Sequence, residues 1–288
     1  MTTLLARVSA ARDQLVAAGI DERDATIDVE VLVRHALGWD RAQYLARTRD
    51  PVPPAFDERL DPLVERRCRR EPVAQITGSR EFWGLDIAVT PDVLIPRPES
   101  ELLVETALAL LVDHAAPSDV ADVGTGSGCL AVALARELPH ARVAATDLSP
   151  PALVVARRNA TRHDVANRIA FHETRCLDGV PGPFDLVVSN PPYVPTSQMM
   201  GLAPEIACFE PASALCGGKD GLDPARELLP ASAARLRVGG WLVMEIGVGQ
   251  DEAVCELAAC QPGLSLVEIC KDLQGIPRAA VIRRGSNA

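Results

Sequence analysis

The stretch VADVGTGSGCLAVALARE, residues 120–137, joins a short apolar run to a glycine-rich turn and then to a segment with helical character. The order strand, tight turn, helix is typical of sheets in which strands and helices alternate. In such sheets the first strand–helix turn lies at the crevice where ligands bind. This stretch therefore predicts an α/β fold and the edge of the sheet that carries a ligand.

Strand-like runs recur from residue 120 to the end of the chain, with helix-like segments between most of them. The runs are VADV (120–123), RVAAT (142–146), RIAF (168–171), FDLVVS (184–189), GWLVMEI (240–246), LSLVEIC (264–270) and AAVIRR (279–284). Seven strands that alternate with helices predict an α/β sheet with helices on both faces.

The first 72 residues have a different pattern, with apolar residues spaced by three and four, and this predicts a small bundle of helices. Residues 73–98 contain EFWGLDIAVT, which is typical of a short hairpin, followed by Pro91, Pro96 and Pro98, which keep the chain extended. We interpret residues 1–72 as a packing or recognition domain, 73–98 as a linker and 99–288 as the α/β domain.

One basic run, RRCRR at residues 66–70, stands out in the helical part. Two interpretations are open for it. The run is either a solvated helix end or a surface that contacts RNA or an acidic partner.

Charge and composition disfavour some classes of protein. Lys and Arg total 29 and Asp and Glu total 39, which gives a net charge of −10 and disfavours a nonspecific nucleic-acid binder. Hydrophobic residues make up 48% and charged residues 24%, as in globular proteins. We find neither a membrane-spanning run nor a signal-peptide core, so we expect a cytoplasmic protein without membrane contact.

The eight cysteines form no C-x2-C pair and have no histidine at zinc spacing, so we expect no metal site. We expect them to be small buried hydrophobic residues in a reducing compartment. A regulatory thiol or an unrecognised metal site is the alternative.

The glycine-rich turn Gly124-Thr125-Gly126-Ser127-Gly128 has the spacing G-x-G-x-G, not the G-x-G-x-x-G that holds a dinucleotide pyrophosphate. Asp147 ends the next strand, where an acidic group meets ribose hydroxyls in nucleotide-binding sheets. Together they predict a nucleoside ligand without a pyrophosphate, a description that S-adenosylmethionine meets. The alternatives are a structural tight turn and, for Asp147, a helix cap beside Ser149.

The sequence Asn190-Pro191-Pro192-Tyr193 follows the strand FDLVVS directly. The two prolines stiffen the loop and lack N–H donors, so carbonyl acceptors remain, and Asn190 adds a side-chain acceptor. Tyr193 offers a flat face for a planar group. This arrangement suits a planar NH2 group, which two acceptors can orient during methyl transfer. A structural Asn-Pro turn is the alternative.

These motifs resemble the S-adenosylmethionine-dependent amino-methyltransferases, and the rest of the chain resembles one branch of them. The segments PVAQITG (72–78), EFWGL (81–85), LIPRPESE (94–101), Glu210-Pro211 and EIG (245–247) are similar to the peptide chain release factor glutamine methyltransferases, the HemK/PrmC family. The helical N-terminal part fits this family too, so the resemblance covers nearly the whole chain.

The resemblance implies a seven-stranded Rossmann-like methyltransferase domain preceded by a helical bundle and a hairpin linker. It implies that the glycine turn holds the methionine part of S-adenosylmethionine and that Asp147 binds the ribose. It further implies that Asn190 and the Pro191 carbonyl hold the substrate carboxamide while Tyr193 packs against it. The expected product is N5-methylglutamine in the Gly-Gly-Gln loop of class 1 release factors, with the bundle gripping the release factor.

The chain departs from the family before the NPPY strand, where Arg175 replaces an aspartate. The resemblance leaves Cys176 or Leu177 to form an apolar wall for adenine. Ser100 stands where the family often has threonine. Arg97 and Glu99 either order the segment over the cofactor or form a salt bridge between domains.

Two further functions stay open at this point. One is a nucleic-acid exocyclic-amine N-methyltransferase with the same NPPY loop, acting on rRNA or DNA. The other is a noncatalytic module that keeps the fold as a scaffold. The net negative charge disfavours the first, and the intact glycine turn and NPPY loop disfavour the second.

Overall fold

The computed structural model describes residues 3–286. The chain divides into two compact units. One comprises the chain up to Ser79 together with Ala203–Phe209, and the other comprises Arg80–Leu202 and the chain from Glu210 onward. Within residues 3–286, no helix combines the length and apolar character that a membrane span requires.

The first unit is a helical bundle, as its periodicity predicts. Its helices are α1 (Leu4–Ala17), α2 (Glu22–Leu37), α3 (Arg41–Arg47), α4 (Phe56–Cys68), α5 (Val73–Thr77) and α9 (Pro204–Phe209). Helix α2 shows why the elements begin and end where they do. The Asp21 side chain accepts from the Arg23 N–H at its start, and Gly38 ends it in a left-handed conformation. The apolar stripes of α1, α2 and α4 form one core that includes Leu15, Leu32 and Leu60.

The basic run at residues 66–70 is largely neutralised inside this unit. Arg67 is only 6% exposed, and it contacts Asp28 at 2.6 Å and Glu205 of α9 at 3.0 Å. Arg70 also donates to Glu205, at 2.9 Å, and Arg66 pairs with Glu71. The interpretation of a solvated helix end is therefore wrong for Arg67, because the fold covers it with carboxylates from distant parts of the chain.

The remaining elements build the hairpin and the α/β part. The predicted hairpin is present as β1 (Ser79–Phe82) and β2 (Leu85–Ala88), which pair with each other. The strands of the large sheet are β3 (Asp119–Val123), β4 (Arg142–Asp147), β5 (Ile169–Glu173), β6 (Phe184–Ser189), β7 (Leu236–Glu245), β8 (Leu264–Lys271) and β9 (Pro277–Arg284). The helices are α6 (Glu101–Leu110), α7 (Cys129–Glu137), α8 (Pro150–Arg162), α10 (Asp223–Arg235) and α11 (Asp251–Cys260).

All seven strand-like runs are strands of one sheet, in the order β5-β4-β3-β6-β7-β9-β8. The five strands from β5 to β7 in this order are parallel, whereas β9 is antiparallel to both β7 and β8. The loop at residues 272–276 between β8 and β9 is too short for a crossover, so these strands form a hairpin. The hairpin inserts its second strand beside β7, an order that strand signals alone do not reveal.

The sheet is covered on both faces, which explains why its central strands are almost continuously apolar. On β6, Leu186 and Val188 face one core cluster, while Val187 faces the other. Helices α6, α7 and α8 contribute to the first cluster, and α10 and α11 contribute to the second. This packing fixes the carboxyl ends of β3, β4 and β6, from which the candidate site is built.

The expectation of buried cysteines is wrong. Six of the eight are half-buried, and Cys208 and Cys260 are exposed. Several lie at helix ends: Cys68 ends α4, Cys129 begins α7 and Cys260 ends α11. These positions lie at the margins of the core, where a side chain is only partly covered.

Candidate active site

A cavity of about 600 Å³ lies where the parallel strands β3, β4 and β6 end. Its walls are the glycine turn after β3, residues 147–149 after β4, residues 174–176 after β5 and the NPPY loop after β6. This is the crevice at which α/β sheets bind ligands, and its volume suits a small molecule. Among residues 3–286, no group of three or more His, Cys, Asp or Glu side chains is arranged to hold a metal ion.

The glycine turn presents bare backbone to the cavity. Gly124, Gly126 and Gly128 all have positive φ angles, between 53° and 80°. The N–H groups of Gly124 and Thr125 both donate to the Thr146 carbonyl, at 2.9 and 2.8 Å, which ties the turn to the end of β4. The end of β4 therefore holds the turn in place. At its three glycine positions the turn has no side chain that would keep a ligand away from the backbone.

A buried acid supports this turn from below. The Asp122 carboxylate is fully buried, and its Oδ2 accepts from the Thr125 hydroxyl at 2.6 Å and from the Ala131 N–H at 3.1 Å. Burial raises the pKa of Asp122 to about 7, since two donors only partly replace the lost water. Asp122 was not among the residues that the sequence singled out as site residues, although it stands at the start of the motif.

Buried Asn159 of α8 is a second support that the sequence does not reveal. Its Nδ2 donates to the Ser127 carbonyl at 2.8 Å and to the Ala88 carbonyl at 2.9 Å. Its Oδ1 accepts from the Ala88 N–H at 2.8 Å. One amide thus joins the glycine turn to the end of β2, and only the fold brings these groups together.

Asp147 ends β4 and lines the cavity. Its Oδ2 accepts from the Gly126 N–H at 2.8 Å and its Oδ1 from the Ser149 N–H at 2.9 Å. Helix α8 is capped by the Ser149 hydroxyl, which accepts from the Ala152 N–H. Asp147 is therefore not itself the cap, and each of its oxygens keeps lone-pair capacity for a further donor, such as a hydroxyl.

Residues 174–176 form another wall of the cavity. Cys176 lies there with a positive φ of 47°, whereas Leu177 is buried in the core beneath the sheet. Of the two apolar candidates, the structure thus brings only Cys176 to the cavity. Arg175 makes a two-pronged ion pair with Glu227. Its Nη2 donates to Oε1 of the glutamate, and its Nε donates to Oε2 at 2.8 Å.

The segment at residues 92–97 borders the cavity and is anchored by a buried acid. Glu210 accepts from the Arg97 guanidinium at 2.5 Å and from the Ile95 N–H at 3.1 Å. Arg97 and Glu210 both belong to the second unit, so this pair is not a bridge between the two units. It supports the interpretation that Arg97 orders a segment at the cavity.

Asn190, Pro191 and Pro192 line the cavity, and buried Ser189 fixes the start of the loop by donating to the Val123 carbonyl at 2.7 Å. The Asn190 Nδ2 donates to the Ser100 hydroxyl at 2.8 Å. This contact occupies the donor end of the amide and leaves Oδ1 as an acceptor. Within the described residues, no backbone N–H donates to the Pro191 carbonyl.

Tyr193 is placed differently from its three neighbours in the motif. It is not among the residues that line the main cavity within the described chain, and it contacts Gly247 and Glu245 behind the loop instead. Burial, together with the neighbouring Glu245 carboxylate, raises the pKa of Tyr193 to about 12. Its backbone carbonyl accepts from Gln250 Nε2 at 3.1 Å, so this acceptor is already used.

The charges at the cavity favour a cationic ligand. Within the described residues, its charged lining consists of four carboxylates and two guanidinium groups, namely Asp92, Asp147, Asp223, Glu227, Arg97 and Arg175. Both arginines are already paired with glutamates. A phosphate-bearing ligand would therefore find no unpaired cation among these groups, whereas a sulfonium or ammonium group would find an excess of negative charge.

The chain is similar to known proteins over almost its whole length. Residues 8–78 match the model of the PrmC N-terminal domain, and residues 99–207 match the methyltransferase small domain. A release factor glutamine methyltransferase of Cereibacter sphaeroides is 43% identical over 95% of this chain and 96% of its own length. The protein of the same name from Geobacter sulfurreducens is 42% identical over 95% of this chain and 94% of its own length.

Solved structures share the fold at lower identity. A methyltransferase from Pyrococcus furiosus superimposes with a TM-score of 0.53 at 20% identity, covering 77% of this chain and 98% of that one. A T. thermophilus 16S rRNA methyltransferase, solved in complex with AdoMet and guanosine, has a TM-score of 0.50 at 18% identity. It covers 72% of this chain and 49% of that chain. At these identities the likeness concerns the fold alone.

Proposed function

The chain belongs to the family of release factor glutamine methyltransferases, and on this premise we propose that it methylates the glutamine of the Gly-Gly-Gln motif in class 1 peptide chain release factors. The methyl group goes to the side-chain amide nitrogen, N5. The chain is an S-adenosylmethionine-dependent methyltransferase. Because release factors act in translation, we propose that it works in the cytoplasm.

The observation that carries the proposal is the free acceptor at Asn190. Because Nδ2 donates to Ser100, its Oδ1 is left as an acceptor, and Asn190 and Pro191 both line the cavity. The side-chain oxygen of Asn190 and the carbonyl oxygen of Pro191 are two acceptors, which match in number the two N–H donors of a primary carboxamide. An amide nitrogen is a weak nucleophile because its lone pair is delocalised, so orienting it against the methyl donor is the main contribution these groups make.

The residues at the cavity fit the cofactor. S-adenosylmethionine supplies a methyl group on a positively charged sulfonium. The glycine turn lets the ligand approach bare backbone, and the surplus of carboxylates suits its positive charge. We propose that Gly124–Gly128 hold the methionine part, that Asp147 accepts from the ribose hydroxyls, and that Cys176 borders the adenine.

The alternative of a nucleic-acid N-methyltransferase has less support. The curated relatives that match almost the whole chain are named for release factors. The chain carries a net charge of −10, which repels a phosphate backbone. We therefore propose a protein substrate, with the helical unit that matches the PrmC N-terminal domain contributing to its recognition.

Methyl transfer from labelled S-adenosylmethionine tests the function directly. The protein is incubated separately with a class 1 release factor, with that factor carrying a Gln→Ala change in its Gly-Gly-Gln loop, with duplex DNA and with ribosomal RNA. We expect label on the intact release factor alone. Label on either nucleic acid, or equal label on the Gln→Ala factor, contradicts the proposal.

The role of Asn190 is tested in the same assay. Asn190→Ala removes the side-chain acceptor but leaves the glycine turn and Asp147 in place, so we expect turnover to fall at least 100-fold, an order-of-magnitude figure for a lost transition-state contact, while cofactor affinity survives. Exposed Asn167→Ala is the matched control and should leave turnover unchanged. Near-normal turnover in Asn190→Ala contradicts the assigned role.

A further inference from the structure

Behind Asn190 lies a buried chain of polar groups that the proposed function does not yet use. The Ser100 hydroxyl, just before α6, accepts from Asn190 Nδ2 at 2.8 Å and donates to Glu245 Oε2 at 2.5 Å. Glu245 is the last residue of β7. Ser100 and Glu245 are each only 2% exposed. Two side chains from distant parts of the sequence thus continue the hydrogen bonding of Asn190 into the interior.

The direction of these hydrogen bonds follows from the chemistry of the groups. An ionised carboxylate can only accept, so the single Ser100 proton must be donated to Glu245. The Ser100 oxygen then has only lone pairs to offer, and its neighbour must be a donor. The Asn190 amide meets this requirement only with Nδ2 toward Ser100, which turns Oδ1 away from it.

This matters because the two ends of an asparagine amide have nearly the same shape but opposite hydrogen-bonding character. With the amide reversed, Nδ2 would face the N–H donors of a substrate carboxamide, and two donors would oppose each other. Packing cannot distinguish the two orientations, since they fill the same space. Only a hydrogen-bond partner of fixed character can do so.

We propose that Ser100 and Glu245 are positioning residues that lock the Asn190 carboxamide with its oxygen toward the substrate amide. The proposal rests on the proposed function, because it concerns how the same site recognises an NH2 group. It makes the selectivity for a primary amide depend on a glutamate that does not itself line the cavity within the described residues.

We call this positioning of the Asn190 carboxamide by Ser100 and Glu245 the lock. The surroundings of Glu245 make the lock sensitive to pH. Burial raises the pKa of Glu245 to about 6, and Glu99, two residues before α6, adds to this. The Tyr193 hydroxyl and Arg278 of β9 favour the charged form, and the Cys129 thiol of α7 also lies within the field of Glu245. Once protonated, Glu245 can donate to Ser100, whose own proton can then turn to the Asn190 oxygen.

The expected sign follows directly. Turnover should fall as the pH drops through about 6, because the protonated carboxyl no longer dictates the orientation of the amide. Glu245→Gln introduces a permanent donor that mimics the protonated acid. Its turnover should be low at every pH and should lack the acid-side fall that the wild-type protein shows.

The test compares four variants of the full chain, namely Ser100→Ala, Ser100→Thr, Glu245→Gln and Ser232→Ala. Ser100→Thr keeps the hydroxyl. Ser232→Ala is the matched control, since this serine is fully buried on α10 and its hydroxyl has no hydrogen-bond partner among the described residues. The assay measures kcat and KM for methyl transfer to a release factor between pH 5 and 8, and calorimetry measures the affinity for S-adenosylmethionine.

We expect Ser100→Ala and Glu245→Gln to lose about tenfold in kcat, the effect of a contact worth roughly 1.4 kcal/mol in the transition state, with cofactor affinity unchanged. Ser100→Thr and Ser232→Ala should stay near the wild-type rate. If Glu245→Gln does not fold, two measurements still test the lock. They are the difference in kcat between Ser100→Ala and Ser100→Thr, and the pH profile of the wild-type protein.

Failure of the lock and failure of the function have different signatures. If the wild-type protein does not label the release factor, the proposed function is wrong, and the lock, which rests on it, is wrong too. If the wild-type protein labels it but folded Ser100→Ala equals Ser100→Thr in kcat, the lock alone is wrong. A loss of cofactor affinity that matches the loss of kcat also overturns the lock, because it indicates a merely structural role.

Discussion

Single buried residues hold the loops of this site in place. Asp122 is an example, because its fully buried carboxyl group accepts hydrogen bonds from both the glycine turn and the first turn of α7. Its Oδ1 has no hydrogen-bond partner in the described structure. The site is thus supported by a group whose charged form is costly to bury.

This cost makes stability depend on pH. Burial raises the pKa of Asp122 from 3.8 to about 7, so the stability linked to its proton is fully present below about pH 4 and is lost as the pH rises through 7. We expect the free energy of unfolding to fall across this range in the wild-type protein and to fall less steeply in Asp122→Asn. Urea denaturation at several pH values measures it.

Some slope will remain in that variant, because burial also raises the pKa of Glu245 to about 6. Adding Glu245→Gln should flatten the profile further. Identical slopes in the wild-type protein and in Asp122→Asn would show that Asp122 carries the same charge in the folded and unfolded states.

Asp147 gives a second prediction for a single residue. Asp147→Ala removes the proposed acceptor for the ribose hydroxyls and also the acceptor for the Gly126 N–H. We expect the Kd for S-adenosylmethionine to rise at least tenfold, since hydrogen bonds to a charged group contribute about 1.5–3 kcal/mol. Isothermal titration calorimetry measures the Kd.

Asp113→Ala is the matched control for this prediction. Asp113 likewise accepts from the N–H two residues ahead, at 3.0 Å, but it is exposed and is not among the described residues that line the cavity. Its change should leave the Kd unaltered. An unchanged Kd in Asp147→Ala would contradict the assignment to the ribose.

Among the elements, the contact between helices α7 and α8 fixes the glycine turn. Gly128 lies directly before α7, and a Cβ built on it would come within 3.0 Å of both Cα and Cβ of Ala156 in α8. The close approach of the two helices thus depends on the missing side chain. A larger residue must push α8 away from the turn that borders the cavity.

Gly128→Ala tests this packing. We expect it to lower the free energy of unfolding by about 2 kcal/mol more than the control, the usual cost of overpacking a well-filled site. The control is Gly275→Ala, which has a similar positive φ of 79°, but no atom of the described residues other than its chain neighbours lies within 4 Å of the added Cβ. Because φ strain is common to both variants, urea denaturation of the pair isolates the packing term. Equal losses would contradict the packing argument.

For the molecule as a whole, the two compact units do not follow the order of the chain. The segment Ala203–Phe209 lies after the NPPY loop in sequence but groups with the N-terminal helices. The Glu205 carboxylate in this segment accepts hydrogen bonds from Arg67 and Arg70, and the Phe209 carbonyl accepts one from the Gln75 side chain at 2.8 Å. The domain boundaries after residues 72 and 98 remain predictions, and they assign this segment to the α/β domain, whereas the fold groups it with the helical unit.

Glu205→Gln tests how much this segment stabilises the first unit. The change keeps the shape but leaves two arginines, one of them buried, without their shared carboxylate. We expect a loss of roughly 2 kcal/mol in the free energy of unfolding, within the range for a charged group deprived of its partner. Asp86→Asn, which neutralises one side of the exposed pair with Arg162, should cost far less.

Thermal and urea unfolding followed by circular dichroism compare these two variants. An equal, small effect of both would mean that the Glu205 contacts contribute no more than an exposed ion pair. The segment Ala203–Phe209 would then contribute little to the stability of the helical unit.

Local sequence patterns are sufficient to predict the secondary-structure elements and the edge of the sheet that carries the candidate site. The seven strands, the hairpin, the glycine turn and the NPPY loop are read from neighbouring residues, because apolar periodicity, glycine and proline act within a few positions. The carboxyl ends of parallel strands share one edge, so the cavity could also be placed. What each of these features contacts could not be read in the same way.

The pairing of groups that are distant in sequence follows from the three-dimensional fold alone. It inserted β9 between β7 and β8, neutralised Arg67 with Asp28 and Glu205, placed Tyr193 outside the described lining of the main cavity and linked Asn190 through Ser100 to Glu245. The physical reason is that burial and hydrogen-bond direction depend on groups far apart in sequence, from 39 residues for Arg67 and Asp28 to 145 residues for Ser100 and Glu245. Periodicity records which face of an element is apolar, but it does not record which polar atom meets which.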